Sequence, residues 1–262
     1  MKLQVQGLSF AYRGGAQVLF DVDFGALPGQ VTALIGPNGC GKTTAAKCIN
    51  RILEPKTGTI RLGDHDLRRT SRPSIGRLVG YVPQSSATVS ATSVIEFLLL
   101  GRRQLLQWRL RAEDLDEVFS VLQRLNIVEL ANQRVSELSG GQRQKVLIAR
   151  ALMQQPALFL FDEPTSALDI RNQLEIMELA RVIAWREKKT VVLVLHDLSM
   201  ALNYADHVVM LAGGHVVAAG GPSEVITSDL VRQVYGVDVT VDNNGGASIL
   251  NPFSGLKSQP PG

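Results

Sequence analysis

The stretch "GPNGCGKTT" (Gly36 to Thr44, the P-loop) combines residue types that can bind a phosphate chain. It matches G-x-x-x-x-G-K-[ST] at every fixed position, and the apolar run "VTALI" before it predicts the strand that such a loop follows. Glycines let backbone N–H groups surround phosphates, lysine reaches the terminal phosphates, and the next hydroxyl can bind Mg²⁺. An ordinary glycine-rich turn is the alternative, which this context disfavours. The predicted nucleotide-binding residues are Gly36, Pro37, Asn38, Gly39, Cys40, Gly41, Lys42, Thr43 and Thr44.

Cys40 lies inside this loop and allows two interpretations. The positive end of the following helix could lower the pKa of its thiol and make it reactive. Alternatively, the thiol is a small side chain that fills space, which is the interpretation we favour. Cys48, on the predicted helix, is expected to be buried.

Two adjacent carboxylates follow a second apolar run, in "LFLFDEP" (Leu158 to Pro164). A carboxylate at the end of a buried strand can hold Mg²⁺ through water, and we assign this role to Asp162, while Thr43 offers a hydroxyl to the same ion. Its neighbour Glu163 could act as a general base toward an attacking water molecule. A solvated acidic turn is the alternative, but a complete P-loop upstream favours the catalytic interpretation.

A second element suited to anions is "LSGGQRQK" (Leu138 to Lys145), which leads into the apolar run "VLIAR". Glycine costs about 1 kcal/mol relative to alanine inside a helix, so a glycine pair at a helix start suggests that something approaches closely. The free N–H groups of a helix N-terminus attract negative charge. The chain therefore carries two anion-binding elements about a hundred residues apart.

The surrounding pattern predicts an α/β fold. Residues 1–30 alternate apolar and polar with glycine-rich breaks, which indicates antiparallel strands. From about Ser85 to Met153 the periodicity is helical, and further strands are predicted at "LFLF", "VVLVL" and "VVML". A hairpin is expected at Gly213-Gly214. The helical spacing is carried by Leu115, Val118, Leu122 and Leu125.

We therefore expect one folded α/β domain over 1–241, with a helical insertion at about 85–153 and a polar tail over 242–262 that frays.

Composition excludes several classes of protein. A 45% hydrophobic content over 262 residues is enough for a packed core, and a net charge of +3 does not indicate nucleic acid binding. The N-terminus does not read as a signal peptide, and no apolar run reaches the ~18 residues of a membrane span. We expect a cytoplasmic chain that needs a partner for any role at a membrane.

The P-loop, "LSGGQ" and a strand ending in Asp-Glu, in this order, resemble the nucleotide-binding subunit of ABC transporters. "SALD" (Ser166 to Asp169) and "VLHD" extend the resemblance over residues 1 to about 240. It implies a P-loop NTPase core with an N-terminal antiparallel β subdomain and an inserted α-helical subdomain. It also implies ATP and Mg²⁺ as cofactors and a head-to-tail homodimer. In this dimer the "LSGGQ" segment of each chain (the signature segment) completes the ATP site of the partner. The signature residues are Ser139, Gly140, Gly141 and Gln142.

Further residues receive roles from this resemblance. Tyr12 resembles the aromatic residue that stacks on adenine, with a core tyrosine as the alternative and Phe10 as the rival aromatic. Gln84 in "YVPQ" matches the glutamine that senses Mg²⁺ and contributes to catalysis. Asp169 matches the loop that connects the two sites of the dimer. His196 matches the histidine that contacts the γ-phosphate, although a lone histidine after a strand is more often structural.

Within the family, the stretches "LLLGRR", "LSGGQRQKVLIARAL" and "VITSDLVRQVYGVDV" more closely resemble ATPases of iron–siderophore, haem and cobalamin importers. This implies two separate transmembrane permease subunits, an extracytoplasmic substrate-binding protein, and a peripheral location on the cytoplasmic face of the inner membrane. "RRQLLQWRLRAED" (Arg102 to Asp114) is a candidate permease contact, with a solvated helix face as an equal alternative. The alternative function is a non-transport ABC module that acts on nucleic acid or a protein complex. At 5% aromatic content no basic stripe with interleaved aromatics supports it, so no nucleic acid partner is expected.

Overall fold

The apolar run before the P-loop forms a strand in the middle of the main sheet of this computed structural model. The structure describes residues 1–84, 91–102, 112–166, 168–244 and 247–251. The strands are β1 (Leu3–Ala11), β2 (Gln17–Ala26), β3 (Val31–Ile35), β4 (Thr57–Leu62), β5 (His65–Asp66), β6 (Val79–Val82), β7 (Leu158–Asp162), β8 (Thr190–Val194), β9 (His207–Ala212), β10 (His215–Gly220), β11 (Thr240–Asn244) and β12 (Ala247–Asn251). The α-helices are α1 (Lys42–Ile49), α2 (Arg72–Leu78), α3 (Val94–Arg102), α4 (Ala112–Arg124), α5 (Gly140–Met153), α6 (Ile170–Trp185), α7 (Leu198–Tyr204), α8 (Pro222–Val225) and α9 (Ser228–Tyr235). Two short 3-10 helices are at Val128–Leu130 and Val135–Glu137.

The main sheet has six strands in the order β10-β9-β3-β8-β7-β6. Neighbours from β9 to β6 are parallel, and β10 is antiparallel to β9. Every residue of β3, β7 and β8 is buried, as expected for strands covered on both faces. Their carboxyl ends meet at one edge, where the P-loop follows β3 and Asp162 ends β7.

Alternating side chains of these strands enter two hydrophobic cores. In β3, Ala33 and Ile35 pack into the core that also contains α5 and α6, whereas Leu34 packs into the core under α1. In β7, Phe159 packs into the first of these cores and Leu160 packs into the second. This two-residue period locks the register of the sheet, because a slip by one residue would exchange the two faces.

A second sheet is formed by the N-terminal residues in the order β2-β1-β4-β5, and its named strand pairs are all antiparallel. The prediction of antiparallel strands over residues 1–30 is therefore confirmed. Side chains of β1, β2 and β4 share the core under α1, so this sheet supports the helix that begins in the P-loop.

The segment predicted to be helical contains α3, α4 and α5. Leu115, Val118 and Leu122 lie in α4, which confirms the helical spacing. Val118, Leu122 and Leu125 are buried, whereas Leu115 is 36% exposed. Leu115 lies in the first turn of α4. Residues 85–90 and most of the candidate permease contact (103–111) lie outside the described residues.

The C-terminal region confirms one prediction and corrects another. The hairpin at Gly213-Gly214 joins β9 to β10, with φ of 56° and 83° at the two glycines. The prediction of a frayed tail from residue 242 is wrong for its first part, because β11 and β12 pair as an antiparallel hairpin. Backbone pairing of Val241 with Leu250 and of Asp242 with Ile249 holds this segment. Residues 252–262 lie outside the described residues.

None of the helices in the described ranges is both long and apolar enough to span a bilayer.

Candidate functional site

The P-loop is packed so tightly from behind that two of its glycines have no room for a side chain. A Cβ on Gly36 would lie 2.1 Å from the carbonyl oxygen of Leu211 in β9. A Cβ on Gly41 would lie 2.5 Å from Leu19 Cδ2 in β2. Both glycines also have positive φ, 145° and 105°, which other residues rarely adopt. The loop is therefore fixed between β2 and β9 while its opposite side faces a cavity.

Lys42, the first residue of α1, is only 4% exposed. Its Nζ donates hydrogen bonds to the carbonyl oxygens of Gly36, at 2.8 Å, and Pro37, at 3.0 Å. These contacts hold a buried ammonium group inside the loop. An anion that enters the loop would meet this positive charge together with backbone N–H groups at the start of α1.

A cavity of about 490 Å³ opens in front of the P-loop. Its lining residues are far apart in the chain. All of them were predicted from the sequence except Val18. Gly36, Pro37 and Cys40 support the loop without lining the cavity. The lining residues are Tyr12, Val18, Asn38, Gly39, Gly41, Lys42, Thr43, Thr44, Gln84, Glu163 and His196.

Asp162 ends β7 and is 1% exposed. Its Oδ1 accepts a hydrogen bond from Thr43 Oγ1 and its Oδ2 accepts one from the Tyr81 hydroxyl, each at 2.8 Å. Burial and the nearby Asp162 carboxylate raise the pKa of Tyr81, so this phenol stays protonated and remains a donor. The sequence analysis did not identify Tyr81.

The Thr43–Asp162 pair suits Mg²⁺. A hydroxyl that donates its proton to a carboxylate keeps a lone pair for a metal ion. Mg²⁺ prefers oxygen ligands and is usually held by one or two carboxylates together with substrate phosphates. Across the described ranges no group of three or more His, Cys, Asp or Glu side chains is placed to hold a metal ion.

Glu163 is held between two polar side chains. Gln84 Nε2 donates a hydrogen bond to its Oε2, and His196 Nε2 contacts its Oε1. Its backbone has φ of 51°, an uncommon conformation for a residue other than glycine, and its N–H donates to the Val194 carbonyl at 3.2 Å. Such strain is concentrated at functional sites. The structure thus brings Gln84, Glu163 and His196 together.

Tyr12 projects into the cavity and is 47% exposed, so the alternative of a core tyrosine is wrong. Its hydroxyl lies 3.2 Å from Thr44 Oγ1. The rival aromatic, Phe10, is 5% exposed and meets the Tyr12 ring edge-on, with centroids 4.9 Å apart. Phe10 therefore supports the Tyr12 ring from behind.

The two cysteines are buried thiols. Burial raises the pKa of Cys40 above its usual value, and the opposing effect of Lys42 is smaller. Burial also raises the pKa of Cys48, to about 12. These directions favour the space-filling interpretation of Cys40 over the reactive one.

The signature residues form a separate site. Ser139 is the N-cap of α5, where its Oγ accepts from the Gln142 N–H at 3.3 Å and its own N–H donates to Gln142 Oε1 at 3.0 Å. Ser139 and Gly140 are exposed, and in the described part of the chain no signature residue lines the P-loop cavity. The N-terminus of α5 therefore faces outward.

Asp169 lies with the signature segment. It caps α6 by accepting from the Asn172 N–H at 2.8 Å, and both of its carboxylate oxygens accept from Asn172 Nδ2 at 2.9 Å. A Cβ on Gly141 would lie 3.1 Å from the same Asn172 nitrogen. Asn172, which the sequence analysis missed, thus links Asp169 to the start of α5.

Comparison with known proteins agrees with this geometry. The family model described as ABC transporter matches residues 19–166. An uncharacterized ABC transporter ATP-binding protein of Methanocaldococcus jannaschii is 40% identical, covering 97% of this chain and 98% of that protein. The ferric enterobactin transport ATP-binding protein of Escherichia coli is 38% identical, covering 86% and 84%. The phosphonates import ATP-binding protein of Nitratidesulfovibrio vulgaris is 39% identical, covering 89% and 91%.

Solved structures give the same result. A chain of an inward-facing ABC transporter described as metal-chelate type has a TM-score of 0.84 and 27% identity, covering 97% of this chain and 98% of its own. A dimeric ATP-binding cassette bound to ADP and phosphate has a TM-score of 0.77 and 25% identity, covering 84% and 98%. The named relatives are transporter subunits, which supports the transport function rather than the non-transport alternative. The chain belongs to the ABC transporter family, as an ATP-hydrolysing subunit of the importer subgroup.

Proposed function

We propose that this ATPase energises the import of a metal chelate, most simply an iron–siderophore complex, by ATP-driven closure of a head-to-tail homodimer. The observation that carries the proposal is the separation of the P-loop cavity from the outward-facing signature segment. A single chain presents two incomplete anion sites. Two chains related by a two-fold axis would complete both, because such an interface uses the same surface of each subunit.

The P-loop would hold the nucleotide in this scheme. Lys42 and the N–H groups at the start of α1 would bind the phosphates, and the half-exposed ring of Tyr12 would stack on the base. Thr43, Asp162 and Gln84 would hold Mg²⁺, which when bound neutralises phosphate charge. Ser139, Gly140 and Gly141 of the partner would approach the γ-phosphate from the open side of the cavity.

Glu163 would act as the general base that takes a proton from the attacking water. Its carboxylate is positioned on one side by Gln84 and on the other by His196, so it needs little reorganisation before the reaction. His196 is 41% exposed at the cavity and would also contact the γ-phosphate. Asp169, tied to the signature segment through Asn172, would transmit the state of one site to the other.

The domain assignment remains part of the proposal. Residues 1–241 would form the ATPase domain, with the helical insertion at about 85–153 facing two transmembrane permease subunits. These permeases would hold the chain at the cytoplasmic face of the inner membrane and would receive cargo from an extracytoplasmic substrate-binding protein. The metal-chelate cargo is supported by the enterobactin relative and the metal-chelate type transporter, whereas the phosphonate relative supports a different cargo.

The test is purification of the chain with its permeases, reconstitution into proteoliposomes, and uptake of a panel containing ferric siderophores, haem, cobalamin and phosphonates. We expect ATP-dependent uptake of a ferric siderophore, abolished in a complex carrying Glu163→Gln. Uptake of a phosphonate alone would contradict the proposed cargo but not the ATPase mechanism. If the Glu163→Gln variant forms no dimer when ATP is added, the proposed homodimer is contradicted.

A further inference from the structure

The Tyr81 side chain lies where the sheet brings two distant strands together. In the parallel pair of β6 and β7, Tyr81 is opposite Leu160, two residues before Asp162. The phenol crosses from the edge strand β6 toward the end of β7 and donates to Asp162 Oδ2 at 2.8 Å. Nothing in the proposed mechanism uses this contact.

The two oxygens of Asp162 are held by different elements. Thr43, in α1, donates to Oδ1, and Tyr81, in β6, donates to Oδ2, at 2.8 Å each. A carboxylate held at one oxygen can still turn about its Cβ–Cγ bond. Contacts to both oxygens fix the plane of the group, which is 1% exposed.

The same strand also leads to Glu163. Three residues after Tyr81, Gln84 Nε2 donates to Glu163 Oε2. The segment from Tyr81 to Gln84 therefore contacts both members of the adjacent carboxylate pair, one through a phenol and the other through an amide. A shift of β6 relative to β7 would disturb the two carboxylates together.

We propose that Tyr81 is a positioning residue for the Mg²⁺ site, holding Asp162 so that its carboxylate stays oriented toward Thr43. The inference rests on the proposed Mg²⁺ role of Asp162. Outer partners of metal-binding groups typically affect metal affinity by ~10-fold or more when removed. Tyr81 should therefore affect the Mg²⁺-dependent part of nucleotide binding and leave the Mg²⁺-free part unchanged.

The experiment measures binding of a fluorescent ATP analogue to the full chain in EDTA and during titration with Mg²⁺. For Tyr81→Phe we expect affinity in EDTA close to that of the wild type, and a Mg²⁺ midpoint raised about 10-fold. Replacement of Tyr81 by 4-aminophenylalanine, which keeps a para donor, should return the midpoint toward the wild-type value. Tyr204→Phe, in α7, is the matched control and should leave both quantities unchanged.

Three outcomes would overturn the inference. An unchanged Mg²⁺ midpoint in Tyr81→Phe would show that the contact does not position Asp162. An equal loss of affinity in EDTA and in Mg²⁺ would indicate a general structural effect. If Tyr81→Phe fails to fold, a Mg²⁺ midpoint raised in the 4-aminophenylalanine variant would overturn the inference, because that variant keeps the donor. Asp162→Asn distinguishes failure of the proposed Mg²⁺ site from failure of the role of Tyr81. An unchanged Mg²⁺ midpoint in Asp162→Asn would contradict the proposed Mg²⁺ site itself. A midpoint that changes in Asp162→Asn but not in Tyr81→Phe would contradict only the role of Tyr81.

Discussion

Replacement of Glu163 by glutamine should separate ATP binding from hydrolysis. The amide has the size of the carboxylate, and its carbonyl oxygen can still accept from Gln84 Nε2. Its NH₂ group can donate to His196 Nε2 once the ring proton moves to Nδ1, because a neutral histidine has one donor and one acceptor nitrogen. Both side-chain contacts of this buried position are therefore retained.

The size of each effect follows from this geometry. With its contacts retained, Glu163→Gln should change the free energy of unfolding by less than about 1 kcal/mol, which corresponds to about 2–4 °C in Tm for a chain of this length. Hydrolysis loses its base, and general bases typically contribute 10²- to 10⁴-fold in rate. Turnover should fall at least ~100-fold, or about 2.7 kcal/mol in activation free energy.

The assay pairs phosphate release with titration of a fluorescent nucleotide and size-exclusion chromatography in ATP. We expect wild-type affinity, slow phosphate release and accumulation of a dimer. A rate near that of the wild type would refute the assignment of Glu163 as the base. A large loss of nucleotide affinity would refute the argument that the amide retains both contacts.

Three further perturbations test other parts of the site. Lys42→Ala should weaken ATP binding itself by at least ~10-fold in the same titration, because a charged donor to phosphate is lost. Ser139→Arg should leave nucleotide binding by the monomer intact and abolish hydrolysis, since the new side chain would meet the partner's γ-phosphate on closure. Mixing Ser139→Arg with Lys42→Ala subunits should restore ATP-dependent cross-linking through the one intact composite site. Cys40 and Cys48 should react with a maleimide only after unfolding, as mass spectrometry at neutral pH would show, because burial raises the pKa of both thiols.

Each of these perturbations has a contrary result. Unchanged ATP affinity in Lys42→Ala would show that Lys42 does not bind the phosphates. Wild-type cross-linking in Ser139→Arg homodimers would show that the signature segment does not face a neighbour's nucleotide. Rapid labelling of folded Cys40 would show that the P-loop lowers the pKa of the thiol more than burial raises it.

The parts of the site that follow buried strands could be predicted from sequence. The P-loop and the Asp162-Glu163 pair are continuous segments whose residue types and spacing are set by phosphate chemistry, so their position after β3 and β7 was predictable. The arrival of Gln84 and His196 at Glu163 was not readable from local spacing. The resemblance of the motif order to a known family implied only that Gln84 and His196 act at Mg²⁺ and the γ-phosphate.

Residues defined by tertiary contact could not be predicted in this way. Tyr81 and Asp162 are 81 residues apart, and they meet because β6 joins the edge of the sheet beside β7. Asn172 acquires its place only when α5 and α6 pack together. The hairpin of β11 and β12 was missed for another reason: the Gly-Gly pair in "DNNGGAS" is a hairpin signal, but strongly polar neighbours resemble a loop.

The tight packing behind the P-loop determines which parts of the site are free to move. Gly36 against Leu211 and Gly41 against Leu19 leave no space for the loop to retreat, whereas Tyr12 and Gln84 are exposed at the opposite side. The P-loop should therefore have the same conformation before and after nucleotide binds. In hydrogen-exchange terms, the amides of β3 and the following loop should be protected with or without nucleotide. The gain in protection on binding should appear around Tyr12 and Gln84, at the exposed side of the cavity. ATP would thus order this side of the site and leave the P-loop unchanged.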